Sequence, residues 1–323
     1  MTAHASKLAE ETVAPDEAAL TAEFIAFLKD VSVKRHPTGV IPRFNQGRAA
    51  GCVRAEFIVP GDLPPELRLG LFAEPGTYPA RIRFANATSR SDTERDVRGM
   101  SIKVSGVRGA NLTPGVSDQD FVLNSYPVMM VGGTKDFLAL LRAFEAGGAK
   151  AAFFFLSRPR AAAVAVASRQ HATSHLEIPY WSTTPYLFGS GRAVKYIARP
   201  ASTKTTPLPS PVTGSYLSER LAAHLASQDA TFDFLVQFQT DSRRMPIEDA
   251  SVEWRERDSP YRRVAQIRIP TQALDGPEGT ASCEAMSFNP WHALTEHRPL
   301  GGFNRARRDI YHAMAAFRQP SRS

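Results

Sequence analysis

The chain has 323 residues, 43% hydrophobic and 22% charged, with a formal net charge of +7. That balance is ordinary for a globular protein and leaves room for one large domain or two smaller ones. The arginines are scattered rather than blocked, which argues against nucleic acid, and the longest apolar runs, 151–156 and 161–167, are too short to span a membrane.

Residues 1–16 are polar, lack a basic start with an apolar core, and are expected to form a mobile tail rather than a signal peptide. Leu20, Phe24, Phe27, Leu28 and Val31 recur at helical spacing. The segment from Pro37 to Gly51 is rich in Pro, Gly, Asn and Arg and reads as an extended arm. Val53–Val59, Arg81–Ala85, Met100–Val104 and Asp120–Leu123 are short strand candidates bounded by turn residues. Their close spacing points to an antiparallel sheet or barrel. Lys135–Phe144 reads as a helix with Phe137, Leu140, Leu141 and Phe144 inward. Residues 149–170 are Ala-rich and helical, with a break at Pro159. Strands are expected within Ile178–Ala198, over Phe232–Phe238 and over Val264–Ile269. The proline-rich 200–215 is a surface connection, and Tyr216–Ser227 is a helix. The two cysteines, Cys52 and Cys283, make no disulfide framework and no CxxC motif, so a reducing cytoplasm is the expected compartment.

The richest stretch begins at Asn304. Ala306, Ile310, Ala313, Met314 and Phe317 form an apolar helical stripe, and Pro320 is expected to stop the helix. Beside it run Arg307, Tyr311, Met314 and Arg318. An arginine one turn before a tyrosine can hydrogen-bond its phenolic oxygen and favour the ionised form. A phenolate is a hard ligand for ferric iron, and tyrosine is one of the few residues that hold haem iron. Arg318 lies roughly 10 Å further along the axis, a reach that suits a haem propionate.

Four blocks then arrive in one order: Arg81-Ile82-Arg83-Phe84-Ala85-Asn86, Asp96-Val97-Arg98-Gly99-Met100-Ser101-Ile102-Lys103, Asp120-Phe121-Val122-Leu123-Asn124-Ser125-Tyr126-Pro127, and Arg307-Arg308-Asp309-Ile310-Tyr311. They resemble the V-R-F-S-T, D-P-R-G-F-A-V-K, D-L-V-G-N-N-T-P and R-L-F-x-Y segments of the haem catalase superfamily, in particular its short catalase-related members. The resemblance covers most of residues 35–318. It implies an α+β fold, a catalase-like antiparallel β-barrel with surrounding helices, over residues 17–323. It also implies haem b, with Tyr311 as the iron ligand, Arg307 as that ligand's partner, and Arg43, Arg83 and Arg318 on the propionates. Phe137 would pack on the haem face with Met314 nearby, and Asn124 would be the distal amide.

The chain departs from that pattern on the distal side. Where catalases carry a histidine three residues after the arginine matched by Arg43, this chain has Gln46. Where they carry the serine that supports it, this chain has Ala85. Glutamine donates and accepts hydrogen bonds but cannot shuttle a proton near neutral pH. The resemblance therefore implies a haem oxidoreductase acting on peroxide or an organic hydroperoxide, with weak true catalase activity. A haem-dependent rearrangement or dehydration of a biosynthetic intermediate is the alternative, and a haem carrier or sensor without turnover is a third. A small-molecule substrate and an open question of homo-oligomerisation complete the expected partners.

The remaining constellations carry little. His36, ten residues before Gln46, reads as a partner of Arg35 or a surface turn. His171 and His175 read as a solvated helix face, since no HExxH pattern is present. His292 and His297 match no metal spacing. Glu248 and Asp249 have no evident partner for acid–base work.

Overall fold

The computed structural model describes residues 7–274 and 277–318. Four long strands come first: β1 (Arg48–Val59), β2 (Gly76–Asn86), β3 (Arg98–Val104) and β4 (Gln119–Asn124). Five more follow: β5 (Tyr180–Trp181), β6 (Tyr186–Leu187), β7 (Ala193–Pro200), β8 (Ala230–Phe238) and β9 (Arg262–Ile269). All pair antiparallel, in the order β5-β4-β3-β2-β1-β9-β8-β7-β6. Because β5 pairs with both β4 and β7, eight strands close into a barrel and β6 hangs as a flap on β7. This is the α+β barrel that the sequence led us to expect.

Closure follows from period-two patterning. Val53, Ala55 and Phe57 of β1, Ile82 and Phe84 of β2, Met100 and Ile102 of β3, and Phe121 and Leu123 of β4 all enter one buried cluster inside the barrel. Phe234 of β8 lies 4.7 Å from Phe121 and 5.1 Å from Phe57, ring centre to ring centre, and Tyr196 of β7 lies 4.9 Å from Phe121. Such aromatics dominate the core energetics, and Phe234→Ala would cost about 3–5 kcal/mol. The alternate residues of β1–β4 therefore face outward, and the candidate site stands on that outer face.

Seven helices are described: α1 (Glu17–Arg35), α2 (Thr134–Glu145), α3 (Gly148–Leu156), α4 (Pro159–Ser168), α5 (Tyr216–Leu225), α6 (Pro277–Ala285) and α7 (Gly302–Arg318). Helix α7 lays Ala306, Ile310 and Met314 against Phe24 and Leu28 of α1 and Leu138 of α2. The break at Pro159 falls between α3 and α4 as expected, whereas α6 was not anticipated. Phe144, expected inward, is 47% exposed. It sits in the last turn of α2, beyond the part buried through Leu138 and Leu140, and meets only Phe155 among the aromatics.

Three sets of contacts tie distant parts of the chain together. In the N-terminal segment from Lys7 onward the Ala9 amide donates to Gln239 Oε1, and Glu11 bridges Arg298 (2.7 Å) and Arg305 (2.6 Å). Residues 1–6 lie outside the described residues, as does Pro320. Glu248 bonds Arg305 and accepts from the Gly302 amide at the start of α7, a structural role and not an acid–base one. Arg305 thus gathers Glu11, Glu17 and Glu248, whose hydrogen bonds, that of Glu17 foremost, raise its pKa and pin this end of α7. Finally, Cys52 and Cys283 are bonded, at an S–S distance of 2.02 Å, because an outward position of β1 faces the end of α6 across 231 residues of sequence. Their number alone could not reveal that proximity, and the bond removes the ground for expecting a reducing compartment.

Candidate functional site

Strand register assembles the site. Ala85 of β2 pairs with Gly99 of β3, and Gly99 with Asn124 of β4, so these three stand in one outward row. Gln46, in the turn before β1 with φ 56°, lays its side chain over that row and donates from Nε2 to Asn124 Oδ1 at 3.0 Å. A Cβ at position 99 would strike Gln46, so glycine supplies the space. The two distal residues taken from separate motifs thus meet, with Ala85 beside them. Gln46 and Asn124 are both half-buried.

The next outward row holds Arg83, paired with Cys52 on β1 and Ser101 on β3. Arg83 is 1% exposed, and its Nη2 lies 2.7 Å from Glu284 of α6. Arg43 bonds the same carboxylate at 3.2 Å and donates to the Met286 carbonyl at 2.8 Å. Burial, with Arg83 and Arg318 close by, pulls Arg43 down to about 10. Burial lowers Arg318 as well, Arg83 adds to this, and Glu284 opposes it. The three arginines assigned to propionates therefore converge, and Glu284 is the carboxylate that pairs with two of them. Glu284 was not singled out in the sequence. It lies beside Cys283, which the bond to Cys52 ties to β1.

On α7, Tyr311 is half-buried and packs with Phe137, Phe44 and Met314 in the α1–α2–α7 cluster. Phe44 is two residues from Gln46, so this cluster adjoins the distal turn. Arg307 departs from expectation. Its hydrogen bonds run to Thr184 Oγ1 (3.0 Å) on the β5–β6 turn and to Asn304 Oδ1 (3.2 Å) one helical turn back, rather than to Tyr311. Burial pushes the Tyr186 hydroxyl up to about 12, and the charge of Arg307 and a hydrogen bond with Thr184 oppose this. Thr184 and Tyr186 were missed because no periodicity marks them, while Asn304 was visible at three residues before Arg307.

The other histidines lie elsewhere. His175 is fully buried rather than solvated, with Nδ1 3.0 Å from Tyr180 Oη and its ring on Phe84. His292 pairs with Asp120 at 2.8 Å, and His297 accepts from the Leu71 amide. His36 follows α1, whereas Arg35 pairs with Glu145. Among the described residues no group of three or more His, Cys, Asp or Glu could hold a metal ion, and no helix is long and apolar enough to cross a membrane.

No family model and no curated protein matches the chain. Solved structures do. A fungal catalase superposes with a TM-score of 0.71 at 15% identity over 98% of this chain. A bacterial catalase gives 0.69 at 14% over 100%, and catalase A from Saccharomyces cerevisiae gives 0.71 at 16% over 98%. The fold is that of the catalases. This catalase-like chain spans 65–68% of the length of those proteins, so about a third of each has no counterpart here.

The donor set fits an iron porphyrin. Among the described residues Arg43 and Arg83 pair with the single carboxylate of Glu284, with Arg318 close by, so three positive groups face one negative one. A dianionic edge would complete them. A phenol on α7, an apolar wall of Phe137 and Met314, and a polar Gln46–Asn124 pair supply the other surfaces.

Proposed function

We propose that the chain is a haem-dependent oxidoreductase of catalase-related type, acting on peroxide or an organic hydroperoxide, with little true catalase activity. The observation that carries this reading is the Gln46–Asn124 hydrogen bond over Gly99, beside Ala85. Haem b would be held by Tyr311 on the iron, by Arg43, Arg83 and Arg318 on its carboxylates, and by Phe137 and Met314 against the ring. When bound, it supplies a ferric centre at which the O–O bond of a peroxide is cleaved.

The residues around it bind and orient. Gln46 and Asn124 each offer an amide donor and a carbonyl acceptor, enough to hold both oxygens of a peroxide. Neither takes up a proton near neutral pH, and Ala85 has no hydroxyl to orient a base. Arg307, one helical turn before Tyr311 on α7, is held in place by Thr184 and Asn304. The same lack of a proton shuttle favours one alternative, a haem-dependent rearrangement or dehydration that needs none.

The test is the absorption spectrum and turnover of the purified, haem-loaded protein with hydrogen peroxide and with an organic hydroperoxide plus a reducing dye. The expected result is dye oxidation, with oxygen release about 10²–10⁴-fold below that of a catalase. Full-speed oxygen release, or no haem spectrum at all, would reject the proposal.

A further inference from the structure

One surface lies outside the candidate site. Helices α3 and α4 are joined by only two residues, and they present Phe153, Leu156 and Val166 at 72%, 81% and 76% exposure. Phe153 and Leu156 lie three apart, on one face of α3. Phe144, at the end of α2, adds a further exposed ring that meets Phe155. Four large apolar side chains exposed between positions 144 and 166 are more than scattered surface hydrophobes, and a cluster of this kind marks an interaction surface. Beneath it, Phe154 and Ala161 are buried with Val131 and Leu140, so the hairpin is anchored to the fold.

Charge selects the partner. From 146 to 176 the sequence contains no Asp or Glu, while Lys150, Arg158, Arg160 and Arg169 are basic. Arg158 pairs with Asp136 of α2 at 3.3 Å, and Lys150, Arg160 and Arg169 are exposed. A second copy docked isologously would set this positive patch against itself. Exposed aromatic and aliphatic residues rimmed by Lys and Arg instead suit the boundary of an anionic bilayer, where rings enter the headgroup layer and cations meet lipid phosphates. We propose that the α3–α4 hairpin is a peripheral docking surface for an anionic lipid bilayer. This does not depend on the haem reading.

The test is flotation of the full chain with vesicles of phosphatidylcholine alone and of phosphatidylcholine mixed with phosphatidylglycerol. The mixed vesicles are expected to bind on the order of a hundredfold more tightly at low ionic strength, and salt should weaken that binding. Two surface variants, Phe153→Ser with Leu156→Ser and Lys150→Glu with Arg160→Glu, should each abolish it with melting temperatures unchanged. Absent binding, equal binding to both vesicle types, or full binding by either variant overturns the proposal. A stable dimer that the double serine variant converts to monomer overturns it in favour of a second copy.

Discussion

Reducing the Cys52–Cys283 bond should destabilise the protein strongly. The bond joins positions 231 residues apart, and the chain-entropy relation for a loop of that size gives a stabilisation of about 5 kcal/mol. For 323 residues the unfolding entropy is about 0.7 kcal/mol/K, so losing the bond should lower Tm by roughly 7 °C. The assay is a thermal scan with and without a thiol reductant, beside a count of reactive thiols. Cys283→Ser should melt where the reduced wild type melts and should ignore the reductant. Release of this end of α6 should also free Glu284 from Arg43 and Arg83. An unmoved Tm on reduction, or two reactive thiols in the untreated native protein, would show that the bond does not stabilise the fold.

Gln46→His should raise oxygen release from peroxide only partly, and adding Ala85→Ser should raise it further, since position 85 shares the outward row under Gln46; initial rates per haem decide, and a double variant no faster than wild type rejects the distal placement. Burial holds the imidazoles of His175 and His297 down to about 3 and about 4, so the unfolded chain takes up protons that the folded chain does not. Stability should therefore be full above about pH 6.5 and drain as pH falls, by about 1.4 kcal/mol per unit for each histidine, and a Tm constant from pH 7 to about pH 4 would contradict this.

Much of the barrel was legible because strands with one buried face alternate. Phe232, Phe234, Val236 and Phe238 marked β8, and the helical spacing of Ala306, Ile310 and Met314 marked α7. Gln46 and Asn124 were legible as motif positions, but their contact rests on strand register and on the missing Cβ of Gly99, neither of which a single motif reveals. The burial of His175 was hidden because its segment has no periodicity. The cysteine bond and Glu284 were hidden for another reason: both depend on α6 reaching an outward position of β1 from the far end of the chain. Arg307 was assigned to Tyr311 from helical spacing and a motif match, whereas Thr184 bonds it from a β-turn that neither of them shows.

Titrating haem into the apo forms of wild type and Tyr311→Phe tests whether Tyr311 holds the iron. Absorption and electron paramagnetic resonance spectra would be recorded at each addition. Wild type should take up one haem per chain and show a high-spin ferric centre with phenolate character. Tyr311→Phe should lose that signature and release the haem on gel filtration, with its far-ultraviolet circular dichroism unchanged. A Tyr311→Phe protein with the wild-type spectrum and haem content would contradict the account.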